Sequence, residues 1–465
     1  MGDEEPLQRG ARGSDAVVER AGRGGAALEG SLAAAPPSPP VPRFRRFLRI
    51  LGPGLVTGAA DDDPSGIATY TQTGAQFGYG QLWTAVFMLP LQTAVQEACA
   101  RIGAVTGTGL AGVVKARYSR PVLYAVVLLV LVANTINIGA DLGAMAAAAA
   151  LVVPLSPALL TIAFAAAILL LEIFTSYHVY ARVLKWLALA LIAYPLTALI
   201  VHLPAREVLR ATFVPHIEFG FGFFFLITGV LGTTISPYMF FWQASQEVEE
   251  EREQGRIRPR EQPRLDRAFI RALRIDTLVG MVASESATWS IIVVGAAVLH
   301  TNGVTDVATA ADAARALEPL VLTFPNAGYL AKLVFAAGII GLGLLAVPVL
   351  SGSAAYAICE ALNWREGLNL NLKRAHGFYG VITVATLLGL GLNFVGINPV
   401  RALVVTAVIN GVVAVPLLFL IARIASDEAI MGEYKSGVLS NLLVWVAFVA
   451  MGAAALALFA TLGRG

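Results

Sequence analysis

Three consecutive carboxylates, Asp61-Asp62-Asp63, and the Pro64-Ser65-Gly66 that follows them interrupt an apolar stretch. That stretch runs from Gly52 to Ala60 and resumes at Ile67-Ala68-Thr69-Tyr70. A second apolar stretch breaks in the same manner, at Thr233-Thr234-Ile235-Ser236-Pro237-Tyr238, between Ile227–Gly232 and Met239–Trp242. A charged side chain at the depth of a bilayer costs about 2.5–3.5 kcal/mol on insertion scales. The aspartates must therefore face a watered cavity or a cation, or else sit at a helix end in the interface. Carboxylates and freed backbone carbonyls are hard oxygen ligands, suited to Mg²⁺, Ca²⁺ or Mn²⁺. The second break offers the hydroxyls of Thr233, Thr234, Ser236 and Tyr238 and no charge. They can contact an ion or its water, or simply bond back to carbonyls at a proline kink.

Such breaks need a membrane frame to give them meaning. The chain of 465 residues is 57% hydrophobic and 14% charged. Eleven apolar spans are expected, at roughly 50–76, 80–102, 121–147, 157–175, 181–202, 219–245, 269–299, 327–360, 377–395, 398–422 and 438–462. Proline inside a helix removes a backbone donor and clashes with the preceding turn. In lipid this is tolerated only where the freed groups line a cavity or are buried in protein. The broken spans are the first and the sixth. A displacement of five spans inverts the topology, which implies an inverted repeat with the substrate site between its halves. The expected architecture is all-α and polytopic: repeat one at about 48–202, repeat two at about 219–424, and an extra helix at about 438–462.

Positive charge sets orientation. Arginines crowd residues 1–49, and Lys115, Arg117, Arg120, Arg182, Lys185, Arg252–Arg267, Arg365, Lys373 and Arg374 fall on the same side of an eleven-span chain. The amino terminus is expected in the cytosol and the carboxyl terminus outside, in a prokaryotic plasma membrane. Residues 1–44, rich in Gly, Ala, Pro and Arg, read as a disordered cytosolic tail preceding a transporter domain at 45–465, and no signal peptide is expected. Residues 246–267, with Glu247, Glu249, Glu250, Glu251 and Glu253 in the first part and six arginines between 252 and 267, read as a solvated loop or helix extension.

Several function classes fall away. A net charge of +2 gives no reason to expect nucleic acid. Five histidines and two cysteines exclude a dense metal–thiolate site, and Cys99 and Cys359 are expected as free thiols. No enzyme is expected, and because no phosphate-binding loop of the form G-x-x-x-x-G-K-[ST] is present, neither is an ATP-driven pump. No cofactor is expected beyond a transported ion, and the lipid bilayer is the expected partner.

At the breaks the chain resembles the Nramp divalent-metal transporters, over about residues 45–460. Asp63-Pro64-Ser65-Gly66-Ile67-Ala68-Thr69 followed by Gly74-Ala75-Gln76-Phe77-Gly78-Tyr79 is similar to the family's first span, where the motif is Asp-Pro-Gly-Asn. Ala100-Arg101-Ile102-Gly103-Ala104-Val105-Thr106-Gly107 is similar to the inner end of its second span. Leu231-Gly232-Thr233-Thr234-Ile235-Ser236-Pro237-Tyr238 occupies the place of the sixth-span motif Ala-x-x-Met-Pro-His. The resemblance implies the LeuT-like fold of inverted five-span repeats.

The departures are informative. The family's asparagine is Gly66 here, its methionine is Ser236 and its histidine is Tyr238. On the third span its Asp-Leu-Ala-Glu becomes Asp141-Leu142-Gly143-Ala144, which lacks the glutamate linked to proton movement. This pattern is similar to the Nramp-related magnesium transporters, a prokaryotic branch without the soft ligand. Loss of a thioether removes preference for soft metals, and short residues leave room for the waters Mg²⁺ keeps.

Candidate ion-site residues are therefore Asp63, Thr233, Ser236, Gly66, Asp62, Asp61, Tyr238 and Asn410, the last near a polar position of the family's tenth span. Asn134, Asn137 and Asp141 share one face of the third span, either lining the path or satisfying helix contacts. Glu285 is either a vestibule charge or an interhelical hydrogen-bond partner. Glu97, Glu172 and His178 read as structural. The leading reading is uncoupled passage of a partly hydrated divalent cation, Mg²⁺ before Mn²⁺, by alternating access. A proton-coupled Mn²⁺/Fe²⁺ importer is the alternative, and an organic-solute symporter ranks lower because the aspartates would repel a carboxylate.

Overall fold

A computed structural model describes residues 57–58, 60–175, 192–253, 255–257 and 265–462. The tail expected at 1–44, His178 and the amino-terminal part of the fifth span lie outside these residues. Among the described residues there are helices and connections and no strand. A chain this apolar must satisfy its backbone within each segment, and the helix does so.

The first span resumes after its break as α1 (Pro64–Phe77), followed by α2 (Trp83–Thr106) and the short α3 (Leu110–Arg117). The third and fourth spans are α4 (Arg120–Ala149) and α5 (Pro157–Phe174); α6 (Ala193–Ile200) is the described part of the fifth. After α7 (Ala205–Phe213) the sixth span runs as two pieces, α8 (Phe221–Thr234) and α9 (Pro237–Glu253). The seventh is α10 (Arg267–Val294), prolonged by a π-turn at Gly295–Leu299 and a 3₁₀ turn at His300–Asn302. Short helices α11 (Ala310–Arg315) and α12 (Glu318–Val321) lead to α13 (Ala327–Leu362), α14 (His376–Leu392) and α15 (Pro399–Ser426). The small α16 (Glu428–Met431) precedes α17 (Val438–Thr461), the eleventh span.

Eight of the described helices are long and apolar enough to cross a membrane, counting α8 and α9 together. The first span falls short because it is broken. The second is diluted by buried Gln92, Gln96, Glu97 and Arg101. Where described, helix positions and the expected spans agree to within about four residues, except that the sixth span, expected to end at 245, runs on in α9 to Glu253.

The broken helices lie at the centre. Helix α1 packs against α8, α10 and α15, and α8 packs against α15. The approach of α8 to α15 requires glycine: a Cβ at Gly232 would stand 2.1 Å from the Ala407 carbonyl oxygen, and one at Gly411 would stand 2.4 Å from that of Thr228. Leu128, Leu170, Leu388, Val449 and Leu456 are exposed on α4, α5, α14 and α17, as helices that face lipid require.

The glutamate-rich segment corrects an expectation. Residues 246–253 do extend the sixth span, but three of their glutamates are not solvated: Glu247, Glu249 and Glu251 are buried, while Arg252 and Glu253 are exposed. Glu249 accepts from the Tyr356 hydroxyl, from the Leu368 backbone N–H at 2.9 Å and from the Asn369 amide at 2.9 Å. It thus pins the connection between α13 and α14 to the end of α9. A buried charge is retained where it collects such donors.

Candidate functional site

Proline accounts for both breaks by the same arithmetic. In a helix the carbonyl of residue i accepts from the N–H of residue i+4. Pro64 has no N–H for Ala60, and Pro237 has none for Thr233. The Tyr238 hydroxyl donates to the Ala60 carbonyl at 3.1 Å, and the Ser236 hydroxyl sits 2.7 Å from the Thr233 carbonyl. Each orphaned acceptor is therefore caught by a hydroxyl of the sixth-span break. Ser236 is also 2.7 Å from the Gly232 carbonyl. Its proton is committed to the backbone, as at a kink, and what it can offer an ion is its lone pairs.

Asp63 caps α1. One carboxylate oxygen accepts from the Ser65 hydroxyl at 2.5 Å and the Gly66 N–H at 2.8 Å. The other accepts from the Asn137 amide at 3.1 Å and the Tyr238 hydroxyl at 3.4 Å. Spans one, three and six thus meet at one carboxylate. Gly66 contributes only its backbone, and a Cβ there would press on the Tyr70 ring at 3.2 Å.

Asp61 and Asp62 diverge from Asp63. Asp61 accepts from Gln92 and, at 2.5 Å, from the Ser284 hydroxyl, so it is held by spans two and seven. Asp62 Oδ1 makes no hydrogen bond within the protein. Among the described residues no three His, Cys, Asp or Glu side chains converge as a metal cage. Thr233 Oγ1 lies 2.9 Å from the Tyr70 hydroxyl, which stands 3.2 Å from Thr234 Oγ1. Asn410 is buried beside Gly411, and neither its amide nitrogen nor its oxygen has a protein partner.

On the third span Asn134 donates to the Leu350 carbonyl at 2.9 Å and so serves a helix contact, while Asn137 reaches Asp63. The Asn137 side-chain oxygen and both oxygens of Asp141, one turn on, are buried without partners. Glu285 likewise holds two unpartnered buried oxygens. Glu97 is structural, in contact with Arg101 and Arg274 at 2.9 Å each. Glu172 accepts from Ser351 at 2.8 Å. The sequence reading did not place Tyr70, Gln92 or Ser284 at the site. The signal available for Tyr70 was its position two helical turns after Asp63, on the same face.

The site is sealed. Asp61, Asp62, Asp63, Ser236 and Tyr238 are each at most 1% exposed. On one side Thr57, in the part of span one before the break, donates to Gln243 of α9, whose amide donates to Glu247 at 3.0 Å. On the other, Gln72 of α1 donates to the Thr305 carbonyl at 3.0 Å and accepts from the Val307 N–H at 2.8 Å.

The family model described as natural resistance-associated macrophage protein-like matches residues 54–461. The chain belongs to the Nramp family. Its relatives include the divalent metal cation transporters MntH of Ralstonia nicotianae, 26% identical over 90% of this chain and 91% of that protein, and of Bacillus subtilis, 25% identical over 87% and 90%. The match with MntH of Chromohalobacter salexigens, 28% identical, spans 64% of that protein's length. A crystal structure of the Eremococcus coleocola manganese transporter superposes with a TM-score of 0.71 at 16% identity, covering 89% of this chain and 87% of that one. The nucleobase-cation-symport-1 family transporter Mhp1 does so at 0.53 and 13%, covering 88% and 92%. The fold is LeuT-like, and the protein is an integral membrane transporter of divalent metal cations of the Nramp type.

Proposed function

We propose that this Nramp protein passes Mg²⁺, and secondarily Mn²⁺, by alternating access without moving protons. One observation carries the reading: the polar groups gathered at the two breaks are oxygens and amides, with Ser236 where the family has its sulfur ligand. Asp63 supplies the charge. The Asn137 side-chain oxygen, buried and unpartnered beside Asp63, offers the amide oxygen that Gly66 removed from the first span. The lone pairs of Ser236 and Thr233, with Tyr238 and Asn410, are available to the ion or its water, and Asp62 and Asp61 add negative potential. Such a set suits a hard cation that keeps part of its hydration shell.

The buried, unpartnered carboxylate of Asp141 supports a second reading, proton-coupled import of Mn²⁺, in which Asp141 takes the role left by Ala144. Uptake of Mg²⁺ and of Mn²⁺ into proteoliposomes, with internal pH recorded, separates the two. Mg²⁺ entry driven by its gradient and the membrane potential, with no acidification, is expected. Mn²⁺ entry with acidification and no Mg²⁺ entry would replace the first reading by the second.

A further inference from the structure

Arg206, Arg210, Arg315 and Arg401 fall on the side of the chain that is otherwise poorer in cations. Arg315 lies 3.6 Å from Asp312, and Arg401 lies 3.3 Å from Asp306. Arg206 and Arg210 are exposed, and among the described residues neither makes an ion pair. Both sit on α7, a nine-residue helix between spans five and six that takes no part in the central site.

The helix has four distinct sides. Val208 and Thr212 are its buried side. Each residue turns an α-helix by about 100°, so with Val208 as zero Leu209 and Phe213 follow at about 100–140°, Arg206 and Arg210 at about 160–200°, and Glu207 and Ala211 at about 260–300°. Leu209 and Phe213 are each 60% exposed. Glu207 and Ala211 border a cavity of about 630 Å³ that His202 and His300 also line, and Arg210 borders it too. The arginines thus stand between an exposed apolar row and a cavity. An apolar row beside a basic row is the pattern of a helix that lies in the membrane interface.

Its neighbours place α7 at the membrane boundary. The Trp289 indole N–H donates to the Thr212 hydroxyl at 3.0 Å, and that of Trp83, the first residue of α2, donates to the His216 carbonyl at 3.3 Å. Tryptophan concentrates at the level of the headgroups. Arg274 is the last cation at the start of α10, and the ~20 residues that cross the hydrocarbon core from there end near Val294. Trp289 lies just inside that limit, so α7 packs against the side of the bundle at the edge of the hydrocarbon. Leu199 and Ile200 at the end of α6, and Ile217 and Phe219 before α8, are exposed as well. Lipid is the apolar phase that reaches these groups, as it reaches the outer faces of α4, α5, α14 and α17.

We propose that α7, with the segment that follows it to Phe219, is an interfacial anchor that binds anionic lipid. Leu209 and Phe213 enter the acyl boundary, and Arg206 and Arg210 reach the headgroup phosphates while their stems lie along the apolar row. The arginines give the anchor its choice of headgroup: basic residues at a membrane surface favour anionic lipids, and salt weakens the attraction. The anchor holds the connection between spans five and six, and with it the start of α8, against the membrane. It does not depend on which ion is carried.

Depth is read on the full-length protein in nanodiscs, with a nitroxide attached to Phe213→Cys. Cys99 and Cys359 are buried, and wild type treated with the same label serves as the blank. Leu128→Cys on the exposed face of the third span and Asn302→Cys at the end of the seventh are the lipid and water references. The label at position 213 is expected to collide with oxygen as it does at 128, and to be protected from a water-soluble Ni²⁺ chelate relative to 302. Headgroup choice is read with bimane at position 213. At equal mole fraction, brominated phosphatidylglycerol should quench it about twofold or more beyond brominated phosphatidylcholine, and Arg206→Gln together with Arg210→Gln should bring the ratio near one. A label at 213 as open to the chelate as at 302 would overturn the proposal. So would a label shielded from both reagents, since protein rather than lipid would then cover the row. Equal quenching by the two lipids with both arginines present, or a preference that survives both Gln substitutions, would overturn the binding of anionic lipid. The collision measurement needs neither arginine variant, so it decides the anchor even where those fail to fold.

Discussion

The side-chain amide of Asn137, in the middle of the third span, donates to the carboxylate of Asp63 at the first-span break across 3.1 Å. The contact leaves the other Asn137 atom, an oxygen, beside the same carboxylate with no protein partner. A hydrogen bond to a charged group contributes about 1.5–3 kcal/mol. Asp63→Ala is expected to abolish saturable divalent uptake while the protein still elutes as a folded species. Asn137→Ala should leave transport measurable but raise the concentration for half-maximal uptake by roughly tenfold, since 1.4 kcal/mol is a factor of ten. Equal, small effects of the two substitutions would remove Asp63 from the centre of the site.

Selectivity should turn on Ser236. Its hydroxyl holds the carbonyl that Pro237 leaves unpaired, so a replacement changes both ligand chemistry and local backbone satisfaction. Ser236→Met should strengthen Cd²⁺ binding by about tenfold or more and reduce Mg²⁺ uptake, because a thioether favours soft ions and fills the space of a hydration shell. Isothermal titration with Cd²⁺ and Mg²⁺ uptake check the two halves separately. Wild type that carries Cd²⁺ while excluding Mg²⁺ would reverse the argument.

Topology follows from the charge pattern and an odd number of spans. A reporter fused after Gly465 should read as external and one before Met1 as cytosolic. Two cytosolic signals would show that one span is miscounted.

Outside the membrane, Glu366 gives a pH dependence. It lies in the connection between α13 and α14, and burial, followed by the nearby Glu360 carboxylate, pushes its pKa up to about 9. Unfolded, it would titrate near 4.5. Between these values the folded protein holds a proton that the unfolded chain does not, so this group makes stability fall as pH rises through the window. Glu366→Gln should raise the thermal midpoint at pH 8, and the gain should shrink as pH falls toward 5. A gain that grows on acidification would contradict the sign.

Both breaks are legible in the sequence because their cause is local. Pro64 and Pro237 each act on a carbonyl four residues earlier, and no distant residue is needed to know that Ala60 and Thr233 lose their donors. Apolar spans of bilayer length and the parity of the two breaks then imply the inverted repeat. What catches those carbonyls and holds Asp63 was not legible in the same way. Tyr238 reaches Ala60 across 178 positions, Asn137 reaches Asp63 across 74, and Ser284 reaches Asp61 across 223. Residues 246–253 show the same limit. Their charges read as solvated because hydropathy is a property of the segment alone, yet Glu249 is buried by donors more than a hundred residues away. Local chain chemistry determined where the helices break and which side chains could serve an ion. Only the packing of distant helices decided which of those side chains meet, since a buried polar group is placed by its partners and those partners come from other spans.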